Sequence, residues 1–176
     1  TGRGLLNLSG AGGLLESAVA RSIFDVSLGT VPNATAVDAG ITWGRGIQGQ
    51  GMPWEDYLAG QLPGSSRLPP NFKTFDFYDL DSGNAISAKT LDTTTASRVA
   101  DPSRIYYSLR GNVDSVLNFD TPYTLSGTTL DPALITSREL RVAIPVETTP
   151  AQWQQINRAI QYGQDNGVNV IVTPAH

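Results

Sequence analysis

The chain has 176 residues, a formal net charge of −4 and no cysteine. The length suits one domain with a real core, and the missing thiols exclude a disulfide scaffold, Cys-ligated zinc and a thiol nucleophile. An acidic balance argues against a passive nucleic-acid-binding module, whose affinity rests on phosphate contacts; it weighs less against a nuclease whose acidic residues are neutralised by a metal. No apolar run approaches the ~20 residues of a transmembrane helix. No charged and apolar leader opens the chain, and the missing initiator Met suggests a piece of a longer polypeptide.

Residues 1–11 are Gly-rich and expected to be loose. Leu15, Val19, Ile23 and Val26 are spaced for an amphipathic helix over 13–28, closed by Gly29. Residues 29–51 read as loop. Pro53 can open a helix, with Trp54, Leu58 and Leu62 on its apolar stripe. A strand is expected over 72–78 and another over 85–91. Residues 92–100 are Thr-rich and carry no clear pattern. Asp101-Pro102 starts a helix whose apolar positions run from Ile105 to Leu117. Residues 123–130 read as a short hairpin around Ser126-Gly127. Residues 139–145 alternate as a strand. Thr149-Pro150-Ala151-Gln152 forms a capping-box start for a helix buried through Trp153, Ile156, Ala159 and Ile160. Val168 to Val172 is a final buried strand. Interleaved helices and strands imply an α/β sandwich around one central sheet.

The informative residues lie on the hairpin of the first two strands. Strand alternation puts Asp76 and Tyr78 on one face, with Phe75 and Phe77 on the other. In the second strand Ser87 and Lys89 share a face. A two-residue Ser82-Gly83 loop sets Asp76 opposite Lys89 and Tyr78 opposite Ser87, with directly opposed Cβ atoms ~5 Å apart. A carboxylate, a hydroxyl and an ammonium then converge. Carboxylates can hold a divalent ion that activates water for phosphodiester hydrolysis, and a lysine beside it can orient that water and screen the transition state. Glu55, in the first turn of its helix, can add a second carboxylate. The plain alternative is an exposed Asp–Lys ion pair worth under ~1 kcal/mol.

Other motifs compete poorly. Gly44-Arg45-Gly46-Ile47-Gln48-Gly49 fits GxGxxG, but no strand–helix frame surrounds it. Asp79-Leu80-Asp81-Ser82-Gly83 lacks the distal Glu of a calcium loop and suits a hairpin turn. The single histidine, His176, leaves no serine triad. Trp43, Trp54 and Trp153 read as core or loop anchors rather than base-stacking platforms.

Pro53-Trp54-Glu55, Phe72-Lys73-Thr74-Phe75-Asp76 and Ile86-Ser87-Ala88-Lys89-Thr90 together resemble the PD-(D/E)xK nuclease superfamily. More narrowly, they resemble the C-terminal nuclease domains of bacterial contact-dependent growth inhibition toxins. The resemblance covers roughly residues 45–176, with 1–44 as an N-terminal extension. It implies a restriction-endonuclease-like core, a mixed sheet flanked by helices with a protruding hairpin. It implies Glu55, Asp76 and Ser87 as metal ligands and Lys89 as the catalytic lysine. Ser87 stands where the superfamily has an acidic residue, so one anionic ligand is lost. By resemblance the metal is one Zn²⁺; oxygen-only ligands by themselves suggest Mg²⁺ or Mn²⁺. The resemblance also implies an antibacterial DNase, with a transfer-RNA-cleaving RNase or a non-catalytic interaction domain as alternatives. It further implies a cognate immunity protein, paired by strand addition to a toxin hairpin (candidate 123–130), and a chain otherwise monomeric. Delivery would be from a large cell-surface protein into a target cell's cytoplasm.

Overall fold

The computed structural model describes residues 35–176. The helix expected over 13–28 lies outside them. The elements are α1 (Met52–Ala59), β1 (Phe77–Asp79), β2 (Asn84–Thr90), α2 (Ala96–Ala100), α3 (Ser103–Leu117), β3 (Tyr123–Leu125), β4 (Thr128–Leu130), β5 (Ser137–Pro145), α4 (Pro150–Asp165) and β6 (Val168–Ala175). The loop expected over 29–51 is corrected at its end: Ile47–Gly51 is one π-helical turn running directly into α1. Gly46, at φ +64, reverses the chain there, and Thr42 N–H donates to Gly49 O at 2.7 Å.

The central sheet has the order β1-β2-β5-β6. β1 is antiparallel to β2, whereas β2, β5 and β6 run parallel. Parallel neighbours need long crossovers. The β5–β6 crossover is α4; the β2–β5 crossover carries α2, α3 and the β3–β4 hairpin. This is the mixed α/β sandwich expected from the sequence.

The two sheet faces bury separate cores. One joins Ala85, Leu140, Val142, Ile144, Val168 and Val170 to the apolar stripes of α3 and α4. Ile105, Leu109, Val113 and Val116 repeat at helical spacing, as do Trp153, Ile156 and Ala159, so each helix presents one stripe to the sheet. The other face packs Ile86, Ala88, Ala143 and Ala175 against Trp54 and Leu58 of α1. Trp54 Nε1 donates to Arg141 O at 3.1 Å, which orients α1 on the sheet. Trp153 is likewise a core residue, and Trp43 anchors a loop through Ala175 O.

The capping box at α4 is present, with Thr149 and Gln152 bonding reciprocally. Gln152 Nε2 also donates to Thr93 O at 2.7 Å, while the Thr93 and Thr148 hydroxyls share a bond of 2.8 Å. The Thr-rich stretch after β2 is therefore a buried polar clasp between β2 and α4, a long-range role that gives it no local pattern.

Two helical glycines predict opposite outcomes. A Cβ at Gly111 in α3 meets nothing within 4 Å, whereas one at Gly163 in α4 would lie 2.6 Å from Val170 Cγ2 and 2.7 Å from Val168 O. Urea denaturation should find Gly111→Ala more stable by roughly 0.5–1 kcal/mol. Gly163→Ala should be less stable by about 1–3 kcal/mol. The reverse order contradicts this packing.

Candidate functional site

The site forms where β1 parts from β2. Asp76 N–H donates to Ile86 O at 2.9 Å, while Phe77 is the register partner of the same Ile86. Two residues of one strand thus face one of the other, a β-bulge of the kind that re-aims a side chain. Leu68 N–H donates to Asp76 O at 2.9 Å, and Ala88 N–H donates to Asp76 Oδ2 at 2.7 Å. The Asp76 carboxylate therefore stands in for the missing strand partner of Ala88. Among the described residues no hydrogen bond reaches Oδ1.

Three expectations are corrected here. The strand expected over 72–78 is only Phe77–Asp79, because Asn71 (φ +64) and Thr74 (φ +69) turn the chain before it. Phe75 and Phe77 do not share a face: Phe75 enters the α3/α4 core and Phe77 the α1 core. The register also differs by two residues, since Tyr78 pairs with Ala85 and Asp79 with Asn84. The loop is Leu80–Gly83 rather than Ser82-Gly83. Asp79 builds this wider turn by accepting from Asp81 N–H at 3.1 Å and Ser82 Oγ at 2.7 Å, with Gly83 at φ +72. A two-residue slip preserves the faces of β2, but the bulge shifts Asp76 out of the alternation of β1. Its carboxylate meets β2 at the backbone of Ala88, between Ser87 and Lys89.

Ser87 is buried within β2. Lys89 is half-buried, and no carboxylate of the described residues lies within 4.0 Å of its ammonium. The plain alternative, an Asp76–Lys89 ion pair, is not formed within 4.0 Å, yet the Lys89 charge acts on both Asp76 and Glu55. Glu55 arrives in the first turn of α1, just after the π-helical turn that runs into it. Burial of Trp54 and Leu58 turns that helix so that Glu55 is half-buried beside Asp76.

Sequence reasoning missed Arg67. Its Nη2 lies 2.8 Å from Asp56 Oδ1 and 3.7 Å from Glu55 Oε2, and its backbone bridges to Phe77. No local pattern marks this residue. Only the tertiary bridge, ten positions along the chain, brings it to the site.

Desolvation is the first cause that raises the pKa of both carboxylates. At Glu55 repulsion from Asp76 comes next, and Arg67 and Lys89 offset part of it. At Asp76 the Ala88 N–H, Lys89 and Arg67 oppose the rise without cancelling it. A divalent cation fits this donor chemistry: two partly buried carboxylates in repulsion, with Asp76 Oδ1 left free by the bond to Oδ2. Among the described residues no three His, Cys, Asp or Glu side chains gather.

Fold and site define a restriction-endonuclease-like domain. Residues 50–173 match the family described as "CDI toxin restriction endonuclease-like domain", and the chain belongs to that family. It is 50% identical over 139 residues to "Deoxyribonuclease CdiA" of Yersinia pseudotuberculosis serotype O:3 (strain YPIII), covering 79% of this chain and 13% of that protein. It is 44% identical over 165 residues to "Deoxyribonuclease CdiA-o11" of Escherichia coli O157:H7 (strain EC869), covering 93% of this chain and 44% of that protein. The chain thus spans less than half the length of either relative. A solved "CdiA-CT/CdiI toxin and immunity complex from Yersinia pseudotuberculosis" contains a chain 50% identical to this one, with TM-score 0.65, covering 71% of this chain and all of that one.

The raised carboxylates carry a sign. Below the ordinary carboxylate range both are neutral in either state, and folding bears no charge cost. As pH rises through the raised values, the folded chain must ionise groups it holds better protonated, and stability is lost. Asp76→Asn keeps an oxygen for the Ala88 N–H. Thermal melts should show it more stable than the parent at pH 7, with the gain shrinking as pH falls into the ordinary carboxylate range. A variant less stable at pH 7 contradicts the desolvation account.

Proposed function

We propose that this chain is the nuclease domain of an antibacterial toxin and hydrolyses the phosphodiester bonds of DNA with one bound divalent ion. The observation that carries this reading is the Asp76 carboxylate, locked by Ala88 N–H at 2.7 Å and coupled electrostatically to Glu55 and Lys89. Both curated relatives bear the name deoxyribonuclease, which favours DNA over transfer RNA.

In this reading Glu55 and Asp76 would hold the ion, with Ser87 as a neutral ligand or the anchor of a water on the ion. When bound, the ion supplies positive charge for the transition state and an acidified water. The chain's own residues do the rest. Lys89 keeps its ammonium free of any carboxylate within 4.0 Å among the described residues, so it can face the phosphate and orient or deprotonate the attacking water. Asp76 stays rigid because backbone on two sides holds it. Resemblance favours Zn²⁺; the oxygen-only donor set favours Mg²⁺ or Mn²⁺.

The chain would act as the C-terminal part of a large surface effector, inside a target cell, and be neutralised by a cognate immunity protein. The β3–β4 hairpin fits that partner by strand addition. Ser126 and Gly127 (φ +51 and +77) make a two-residue turn, which leaves the backbone groups of Thr124 and Thr129 pointing away from the hairpin.

Plasmid DNA and transfer RNA, each incubated with Zn²⁺, Mg²⁺ or chelator, test the chemistry. DNA cleavage should require a metal and fall by about 10²–10⁴-fold in Lys89→Ala, with a loss at least as large in Asp76→Ala. Cleavage that survives either substitution removes the site assignment, and cleavage of transfer RNA alone removes the DNase reading. For the partner, proline at Thr124 or Thr129 should weaken immunity-protein binding in calorimetry while leaving DNA cleavage intact. Unchanged binding contradicts strand addition there.

A further inference from the structure

Arg67 is tied to the site twice, once through its backbone and once through its side chain. Its backbone pairs with Phe77, and the next residue, Leu68, donates its N–H to Asp76 O at 2.9 Å. A 3₁₀ turn over Gly64–Ser66 enters this bridge, closed by Ser66 Oγ donating to Pro63 O at 2.6 Å. The Arg67 Cα is therefore set against the same backbone that places Asp76. Its guanidinium remains 42% exposed, and its short contact is with Asp56, whose side chain is 66% exposed. Such open pairs contribute little net stability, so this one is easily exchanged. The contact with Glu55, at 3.7 Å, is too long for a hydrogen bond.

This geometry suits exchange. A guanidinium pairs with two phosphate oxygens as readily as with a carboxylate. A chain of net charge −4 must gather cations locally to receive a polyanion. Arg67 and Lys89 are the two cations whose charge acts on both Glu55 and Asp76.

We propose that Arg67 is a substrate-contact residue, a clamp on a DNA phosphate at the site, and that Asp56 is its resting partner. On entry of DNA the guanidinium leaves Asp56 for non-bridging phosphate oxygens, and Glu55 loses its only cationic neighbour within 4.0 Å among the described residues. Asp56 then acts as a competitor that the substrate displaces. The assignment rests on the DNase reading above, extending it to how substrate is gripped.

The test uses the 176-residue chain and a short DNA duplex. Binding is followed by fluorescence anisotropy in chelator across a salt series, and cleavage kinetics are followed with metal. Arg67→Ala should raise KM by about tenfold, in line with loss of a charge-assisted hydrogen bond. It should also flatten the slope of log K against log salt by about one phosphate's worth, roughly 0.9. Arg67→Lys should restore the slope but not the full KM, because an ammonium lacks the two-pronged donor. Asp56→Asn should tighten duplex binding. If the parent chain binds and cleaves DNA while Arg67→Ala keeps its KM and salt slope, or Asp56→Asn weakens binding, the clamp is overturned and the DNase reading stands. A parent chain that cleaves no DNA overturns both.

Discussion

The 2.7 Å bond from Ala88 N–H to Asp76 Oδ2 is the constraint on which the site depends. A sheet edge must satisfy its backbone donors. Here β1 begins only at Phe77, and the carboxylate of the residue before it takes over the next donor of β2. That exchange holds the carboxylate against the strand carrying Ser87 and Lys89, so one bond closes the sheet edge and fixes the Asp76 side chain. The bulge at Asp76–Phe77 makes it possible, because regular pairing would have spent the position on ladder hydrogen bonds. Glu55 then comes from α1, whose angle follows from burying Trp54 and Leu58 and from the Trp54–Arg141 bond.

The arrangement is unfavourable for the folded state taken alone. Two half-buried carboxylates repel each other, and the surrounding cations offset only part of the cost of desolvation. The remainder of the fold carries this load: two well-packed cores and the polar clasp between the end of β2 and α4. A cation held between the carboxylates would remove the repulsion. The tension is local to the two carboxylates.

Much of the architecture was legible because local patterns and tertiary packing agree. The stripes of α3 and α4, the Thr149/Gln152 capping box and the alternation in β5 each name an element with little ambiguity. The hairpin 123–130 was legible for the same reason, since Ser126-Gly127 suits the positive φ its turn needs. Legibility failed where one residue's conformation decides the outcome. Positive φ at Thr74 and the bulge at Asp76 broke the alternation assumed for 72–78, and the Asp79 side chain widened the turn that sets the register. Arg67 was invisible because its role depends on a bridge to Phe77. The face shared by Ser87 and Lys89 survived these errors, as a slip of two residues leaves strand faces unchanged.

The central claim is that Glu55 and Asp76 together hold one divalent cation beside Lys89. Crystals grown with Zn²⁺ or Mn²⁺ and recorded at the metal's absorption edge test it most directly. The account predicts a single anomalous peak touching Asp76 Oδ1 and Glu55, with Oδ2 still bonded to Ala88 N–H. A peak elsewhere, or no ion at saturating metal with both carboxylates as they stand here, would contradict it.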